Sequence, residues 1–411
     1  MAIIKPFKGL RPKPELAELV ASRPYDVLSS EEARVEAKDN PYSFLHITKP
    51  EIDLPAGIDV HSQLVYQKAK ENLDRFVSQE ILFHEKQPCY YVYELTMTGK
   101  SQTGLVCLSS VDDYVNDAIK KHEFTRPEKE KDRIDHMLAI KAQTGNVFLD
   151  YRDVEQINKI IAEWKAEHNA VYDFMAADQV RHAIWKIDEA SIVRSITDLF
   201  QNEVPVTYIA DGHHRAASAA KASQHMPSNK SARYFLTTIF PASELKILDY
   251  NRVVKELNGL SVDDFLRKIE INFIVEKTTK PFSPKKPHQF GMYLDRQWYI
   301  LTSRGATIPS DSVGTLDVRI LSNDILDKVL GIKDQRTDKR IDFVGGIRGL
   351  SELERRVDGG EMRAALSLHP VSIQQLFDVA DSGKTMPPKS TWFEPKLRDG
   401  LLTHTLDQEQ L

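Results

Sequence analysis

The chain has 411 residues, of which 41% are hydrophobic and 28% are charged, and its formal net charge is -5 at pH 7. This near-average composition excludes disordered and collagen-like chains, and the length predicts a large core shared between two domains. The slightly acidic balance argues against a protein that coats nucleic acid, and therefore against DNA as a partner.

The N-terminal half predicts alternating helices and strands. Ser29 followed by two acidic residues is typical of a helix start, and apolar positions at helical spacing follow residue 61. The predicted helices cover residues 15–20, a segment opening at Ser29, 61–77, a segment reaching about 143, 154–167 and 191–201. The predicted strands cover residues 44–48, 89–97, 103–109, 145–151, 171–175 and 182–187.

The C-terminal half continues with the same short elements. Strands are predicted at residues 233–240, 245–249 and 364–368 and near residues 273, 292 and 298, and helices at 262–269, 317–330, 351–357 and 373–380. This mixture predicts an α+β (mixed α/β) fold. We expect a core with insertions over residues 1–257 and a smaller C-terminal α/β region over residues 258–411 that packs on it.

The cysteines and the hydropathy pattern predict the cellular compartment. Cys89 and Cys107 lie in apolar, strand-like runs, which is typical of reduced core thiols. The first residues form too short an apolar run for a signal peptide, and no apolar segment reaches membrane length. A cytoplasmic protein without a membrane partner is the expectation.

Residues 204–220 are the most informative stretch: an apolar strand, the turn Asp-Gly-His-His-Arg, and a helix of small residues. Asp211 stands at the position of a helix N-cap, and glycine lets the backbone approach a ligand closely. The first helical turn offers N–H groups and the positive end of the helix dipole, and arginine adds a two-pronged phosphate contact. The alternative is an ordinary capped junction, which leaves the three basic residues unexplained. The predicted phosphate ligands are Gly212, His213, His214 and Arg215.

A polar block from residue 120 to residue 136 is the second candidate. His122, Glu123, Arg126 and Arg133 stand in or just before a predicted helix, so several of them can converge on one anion. A solvated helix with many ion pairs is the alternative, and the Lys/Glu alternation after residue 127 fits it.

The metal-binding patterns favour magnesium over zinc. His213 and His214 are adjacent, so their side chains diverge by about 100° on a helix, and the sequence has no His-x-x-x-His or Cys-x-x-Cys pattern. Mg²⁺ held partly by a nucleotide needs only one or two carboxylates, and Asp211 and Glu123 are the predicted ligands, with Asp26 as a further candidate. No Walker A or Gly-x-Gly-x-x-Gly motif is present, which excludes the standard P-loop, kinase-type and Rossmann sites.

The third candidate is residues 386–401 near the C-terminus. Two prolines precede Lys389 and two hydroxyl residues, and a rigid loop of this kind suits contact with a phosphate or another anion. The alternative is a strap that packs Trp392 and Phe393 into the core.

Six stretches together resemble a bacterial and archaeal family called domain of unknown function 1015, and the resemblance extends over the whole chain. They are Pro-Phe-Lys-Gly-Leu-Arg at 6–11, Arg-Pro-Tyr-Asp-Val at 23–27, Asn-Pro-Tyr at 40–42, Ala-Asp-Gly-His-His-Arg at 210–215, His-Pro-Val-Ser at 369–372 and Met-Pro-Pro-Lys-Ser-Thr at 386–391.

The turn at 211–215 also resembles the phosphate-binding turn of the ParB/sulfiredoxin superfamily, which includes partition proteins, sulfiredoxins and a free-serine kinase. Sulfiredoxins carry Gly-Cys-His-Arg there, whereas this chain has His213 in place of the cysteine, which argues against sulfinate repair. Partition proteins add a helix-turn-helix, and this sequence has no convincing one. The resemblance therefore implies a ParB-like core and nucleotide-dependent phosphoryl transfer.

The expected function is a kinase that uses ATP or ADP with Mg²⁺ to phosphorylate a small hydroxyl metabolite such as free serine. The catalytic candidates are Asp26, Glu123 and Asp211, and Arg126 and Lys389 are further candidates for phosphate contacts. The alternative is a nucleotide-binding regulatory protein without turnover. The expected partners are a nucleotide and a small-molecule substrate, and a homodimer is compatible with the sequence.

Overall fold

The computed structural model describes residues 1–125, 127–305 and 308–406. The chain forms two compact units. Unit 1 comprises Met1–Leu245 and the chain from Pro395 onward, and unit 2 comprises Lys246–Glu394. Over the described ranges, no helix is long and apolar enough to cross a membrane.

Unit 1 contains most of the strands and helices. Its strands up to residue 245 are β1 (Ile4–Lys5), β2 (Leu10–Pro12), β3 (Leu82–His84), β4 (Tyr90–Met97), β5 (Lys100–Ser110), β6 (Ile119–Lys120), β7 (Ala142–Gln143), β8 (Val147–Tyr151), β9 (Tyr172–Met175), β10 (Arg181–Ile187), β11 (Thr207–Asp211) and β12 (Tyr234–Pro241). Its helices are α1 (Ala17–Val20), α2 (Ser30–Glu36), α3 (Leu45–Thr48), α4 (Gln63–Ser78), α5 (Val111–Val115), α6 (Pro127–Ile140), α7 (Glu155–Glu167), α8 (Ala190–Glu203) and α9 (His213–His225).

A nine-stranded mixed sheet organises unit 1, in the order β6-β11-β8-β12-β5-β4-β10-β9, with β1 added beside β5. The predicted hairpin forms β4 and β5, which pair antiparallel, while β12 runs parallel to β8. Leu149 and Ile209 from the sheet share a buried apolar cluster with Ala216, Ala219 and Ala220 of α9. The small alanine side chains let α9 approach the sheet closely. This packing holds the turn at 211–215, which precedes α9, in place.

Unit 2 is a second α/β structure. Its strands are β13 (Ile247–Leu248), β14 (Tyr250–Val254), β15 (Phe273–Thr278), β16 (Gln289–Leu294), β17 (Gln297–Ser303), β18 (Ile341–Gly345), β19 (Ala364–Leu368) and β20 (Trp392–Phe393). Its helices are α10 (Val262–Ile269), α11 (Asp317–Leu321), continued by a π-helical segment (Ser322–Asp327), α12 (Gly349–Asp358) and α13 (Ile373–Asp381). Six strands form one antiparallel sheet in the order β15-β17-β16-β19-β14-β18.

The chain returns to unit 1 after residue 394. There β21 (His404–Thr405) pairs antiparallel with β7, and Asp399 forms two backbone hydrogen bonds with Ser22. These pairings hold the C-terminal segment against the N-terminal one. They bring residues 395–406 to the end of the sheet where β8 begins.

The mixed α and β composition is confirmed, and one strand prediction is wrong. Residues 44–48 contain the helix α3 (Leu45–Thr48) rather than a strand. Leu45 and Ile47 are both fully buried although they alternate with His46, because a helical turn packed against α4 buries them together. Tertiary packing outweighs the β-forming character of so short a run.

The division into units differs from the predicted boundary. The sequence predicts a boundary near residue 257 and one C-terminal region after it, whereas the compact units divide at residues 245 and 394. A local pattern cannot show the return of the final segment to unit 1, because that return depends on pairing with residues near the N-terminus.

Candidate functional site

The turn between β11 and α9 has the predicted strand–turn–helix form, with a different cap. Gly212 is the N-cap residue and has φ +93°, a left-handed conformation that favours glycine. Asp211 is the last residue of β11, and its Oδ1 accepts the N–H of Gly212 at 2.8 Å. No side chain in the described ranges caps α9. The prediction that Asp211 is the N-cap is therefore wrong, because the left-handed residue is inserted between it and the helix.

The other oxygen of Asp211 is paired with a lysine from the C-terminal segment. Lys396 Nζ lies 2.9 Å from Asp211 Oδ2. Burial alone would raise the pKa of Asp211, but the charges of Lys396 and Arg215 and the hydrogen bonds from Lys396 and Gly212 hold this pKa well below its ordinary value. Asp211 is therefore an anion at neutral pH.

Arg215 connects the turn to the N-terminal segment. Its Nη2 donates to Asp26 Oδ1 at 2.8 Å and its Nη1 donates to the carbonyl of Asn146 at 2.8 Å. Its Nε is buried without a hydrogen-bond partner among the residues that the structure describes. Burial opposes the charge, but Asp26 and Asp399 together raise the pKa of Arg215 above its ordinary value.

Tyr25 stands between two guanidinium groups. Arg133 Cζ lies 4.0 Å and Arg215 Cζ lies 5.4 Å from the centre of its ring, which are cation–π distances. Burial, opposed mainly by the charge of Arg133, raises the pKa of the Tyr25 hydroxyl. Arg133 of the predicted polar block is thus brought to the turn through this ring, and it also pairs with Asp132 at 2.6 Å.

Asp399 is a further carboxylate of this site, and no motif in the sequence indicates it. It is 1% exposed, and its Oδ2 has no hydrogen-bond partner in the described part of the chain. A Cβ built on Gly145 would lie 3.3 Å from Arg215 Nε and 3.4 Å from Asp399 Oδ1, so both groups face the open side of that glycine. Burial raises the pKa of Asp399 to about 7, with the charge of Arg215 opposing.

Two buried histidines stand behind the turn. The rings of His122 and His213 meet edge to face at 4.5 Å, and the backbone N–H of His122 points to His213 Nε2 at 3.5 Å. Burial lowers the pKa of His122 to about 4 and lowers that of His213 well below its ordinary value. Both rings are therefore neutral at pH 7, so a phosphate would meet His213 through its backbone N–H.

The remaining predicted residues are placed as follows. His214 is half-buried in the first turn of α9, and Glu123 is half-buried between β6 and α6. Arg126 lies outside the described residues. Lys389 is in unit 2, exposed, with its Nζ 5.7 Å from the centre of the Tyr250 ring. The structure thus brings Asp26 and Asp211 together at Arg215.

An open cleft adjoins the turn. It has a cavity volume of about 40 Å³ and is lined by Tyr25, Arg133, Gly145 and Arg215 together with apolar residues of α6 and β12. A second cleft of about 130 Å³ shares Tyr25 and Arg133 with the first, and its lining includes Glu51 and Asp132. Both are smaller than a typical small-molecule site.

The metal donors are sparse. No group of three or more His, Cys, Asp or Glu side chains within the described ranges is arranged to hold a metal ion. Asp26 and Asp211 are each already paired with a cation. This donor set fits Mg²⁺ only as an ion held mainly by nucleotide phosphates with one or two protein carboxylates.

Three solved structures illustrate what the chain resembles. A conserved hypothetical protein from Pyrococcus furiosus aligns with a TM-score of 0.36 and 14% identity over 73% of this chain and 94% of its own. A free serine kinase in complex with AMP aligns with a TM-score of 0.38 and 10% identity over 74% and 92%. SbnI with a C-terminal truncation, from Staphylococcus aureus, aligns with a TM-score of 0.39 and 12% identity over 74% and 90%.

The comparison with curated proteins found no match. The comparison with family models found one that covers most of the chain, and its matched residues 4–319 include the turn at 211–215. The chain therefore belongs to the family described as protein of unknown function (DUF1015).

Proposed function

We propose that unit 1 is a nucleotide-dependent phosphotransferase with a ParB/sulfiredoxin-like core, which transfers a phosphoryl group from ATP or ADP to a small hydroxyl metabolite such as free serine. The observation that carries the proposal is the position of Asp399. A buried carboxyl group with a raised pKa faces the same glycine as Arg215, which belongs to a phosphate-type turn.

The phosphates would bind at the start of α9. Gly212 has no side chain that would keep a ligand away from the backbone there. The N–H groups of the first helical turn lie at the positive end of the helix dipole and can bind an anion. The guanidinium of Arg215 and the ammonium of Lys396 flank this position and would add charge-assisted hydrogen bonds. Mg²⁺ would be held chiefly by the nucleotide, with a carboxylate of Asp211 or Glu123.

The transfer step needs a base beside the phosphate. The substrate oxygen forms a bond to the terminal phosphorus, the bond from that phosphorus to the nucleotide oxygen breaks, and a carboxylate takes the hydroxyl proton. A pKa near 7 suits this role at neutral pH, and Asp399 has it. Asp211 is a weak base because Lys396 lowers its pKa. We assign the role of base to Asp399, and Glu123 is the alternative base. Asp26 orients Arg215, and Asp211 orients Lys396.

Calorimetry and a turnover assay test the proposal. Wild-type protein is expected to bind ATP or ADP in the presence of Mg²⁺ and to consume it with at least one member of a hydroxyl-metabolite panel that includes serine. Arg215→Ala should weaken nucleotide binding at least tenfold, while Arg194→Ala, at an exposed position of α8, should leave it unchanged. Asp399→Asn should lower turnover by about 100-fold or more with little change in nucleotide affinity. Absence of nucleotide binding would refute the proposal.

A regulatory protein without turnover is the second candidate, and one contact favours it. Arg215 is already paired with Asp26, so a nucleotide that recruits Arg215 would release the N-terminal segment. In that case nucleotide binds without being consumed, and a conformational or oligomeric change follows that Arg215→Ala abolishes. The combination of tight binding, no turnover on any substrate and such a change would select this candidate over the kinase.

A further inference from the structure

Unit 2 contains a buried arginine that has no carboxylate partner among the residues the structure describes. Arg252 lies in β14 and is 0% exposed, and its register partners in the neighbouring strands are Phe343 and Leu366. Its guanidinium lies 5.3 Å from the centre of the Phe343 ring. A cation enclosed by apolar and aromatic groups is costly unless an anion compensates it.

The partners of Arg252 are neutral. Its Nη1 donates to the carbonyl of Tyr250, and its Nη2 donates to the carbonyl of Pro388 at 3.3 Å. Its Nε is buried without a hydrogen-bond partner among the described residues. Burial lowers the pKa of Arg252 to about 10, with Tyr250 opposing. The group is still charged at neutral pH, so its charge lacks a counter-ion in the part of unit 2 that is described.

The segment at 386–391 covers this guanidinium and brings a second cation. Pro388 supplies the carbonyl on Nη2, and the next residue, Lys389, is exposed and has φ +59°, a conformation that is uncommon outside glycine. The ammonium of Lys389 lies over the ring of Tyr250, whose carbonyl binds Arg252. Ser390 Oγ donates to the carbonyl of Pro387 at 2.6 Å, which closes the segment into a tight loop.

We propose that unit 2 has its own binding site for a phosphate group, formed by Arg252 and by Lys389, which follows the residue whose carbonyl Arg252 binds. The dianion matches two cations, and a phosphate oxygen would replace the Pro388 carbonyl at Nη2 and reach the unpartnered Nε, so that the guanidinium binds through two parallel N–H groups. Both residues of this site belong to unit 2, and the proposal does not depend on the function proposed for unit 1.

The test uses inorganic phosphate and the full-length chain carrying Arg215→Ala, so that the turn of unit 1 does not dominate binding. Titration followed by phosphorus NMR and by calorimetry should show saturable binding, and acetate at equal ionic strength should not compete. In this background Lys389→Met and Arg252→Met should each weaken phosphate binding at least tenfold. Lys285→Met, at an exposed position of the same unit, is the matched control and should leave binding unchanged.

Two results would overturn the proposal. One is no saturable phosphate binding in the Arg215→Ala protein. The other is binding that Lys389→Met leaves unchanged, and because Lys389 is exposed this variant gives an answer even if Arg252→Met fails to fold. In either case Arg252 serves as an anchor for the segment at 386–391. Failure of nucleotide binding in wild-type protein would bear only on unit 1.

Discussion

Arg215 in unit 1 and Arg252 in unit 2 are both largely buried arginines that bind backbone carbonyls, but the surroundings of Arg215 are negatively charged and those of Arg252 are neutral. Arg215 is surrounded by Asp26, Asp211 and Asp399, which raise its pKa. Arg252 is surrounded by aromatic and apolar groups, and burial lowers its pKa to about 10. The same side chain is therefore strongly stabilised as a cation in one unit and destabilised in the other.

The two environments differ in the sign of the group that is left without an ionic partner. In unit 1, Asp26 pairs with Arg215 and Asp211 pairs with Lys396, whereas Asp399 is buried without an ion pair among the described residues. Burial raises the pKa of this surplus carboxyl group to about 7, with the charge of Arg215 opposing. In the described part of unit 2, the charge without a counter-ion is instead a cation, the guanidinium of Arg252. Unit 1 is thus poised to exchange a proton, and unit 2 is poised to accept an anion.

The largest expected effect concerns the surplus carboxyl group. The pKa of Asp399 rises from 3.8 to about 7 on folding, so between these values the folded chain holds a proton that the unfolded chain releases. Its contribution to stability is complete below pH 4 and is lost as the pH rises through 7. Asp399→Asn removes this dependence. Relative to wild type, the variant should gain up to about 4 kcal/mol between pH 4 and pH 7.5 in urea unfolding.

The exposed Asp112→Asn, in α5, is the control for the loss of one surface charge. The buried histidines His122 and His136, whose pKa values burial lowers to about 4, favour folding as the pH rises. Their effect is common to the wild type and the variant and cancels in the difference. If the difference in unfolding free energy between Asp399→Asn and the wild type did not vary with pH, folded Asp399 would not hold a proton that the unfolded chain releases.

Paired substitutions of the two arginines should have an effect of intermediate size. Arg215→Met leaves Asp26 and Asp399 without their cation and should destabilise the protein by about 2 kcal/mol, since Asp26 is partly exposed to solvent. Arg252→Met removes an uncompensated charge and keeps apolar volume, so its cost should stay below about 1 kcal/mol. Urea unfolding of both variants in phosphate-free buffer measures the contrast. Equal losses would mean that the two environments do not differ in charge compensation.

The smallest expected effect separates backbone strain from ligand contact. Gly212→Ala and Gly99→Ala both place a Cβ on a residue with positive φ, at +93° and +76°, and each should cost about 1 kcal/mol of stability. Gly99 lies in the β4–β5 hairpin with nothing near its Cβ position. Only Gly212→Ala should also weaken nucleotide binding. Equal nucleotide affinity in the two variants would argue against a ligand at the turn.

Much of the fold could be predicted because its elements carry local signals. The hairpin of β4 and β5, the strand β19 and the helix α10 were predicted from alternation and helical spacing within a few residues of their bounds. Residues 44–48 were mispredicted because five residues are too few for a period to decide between helix and strand. Their burial against α4 decided it.

The candidate site was predictable in part. The turn at 211–215 was found because strand, glycine, basic residues and helix stand next to one another in sequence. Lys396 and Asp399 were not selected, since nothing in Pro-Lys-Leu-Arg-Asp-Gly indicates that this stretch reaches the turn. Charge compensation depends on distances in space, so the surplus proton on Asp399 and the unpaired charge of Arg252 could be identified only in the folded chain.

The return of the C-terminal segment has a consequence for the order of folding. Lys396 and Asp211 are 185 residues apart in sequence, and Arg215 and Asp26 are 189 apart. Loop closure over such lengths is slow, and on the ribosome Lys396 and Asp399 emerge only after all of unit 2 has been synthesised. Nascent unit 1 therefore carries Asp211 without its lysine and lacks its surplus carboxyl group. Under the function proposed for unit 1, phosphoryl transfer could therefore begin only after residues 395–406 have been synthesised and have paired with the N-terminal segment.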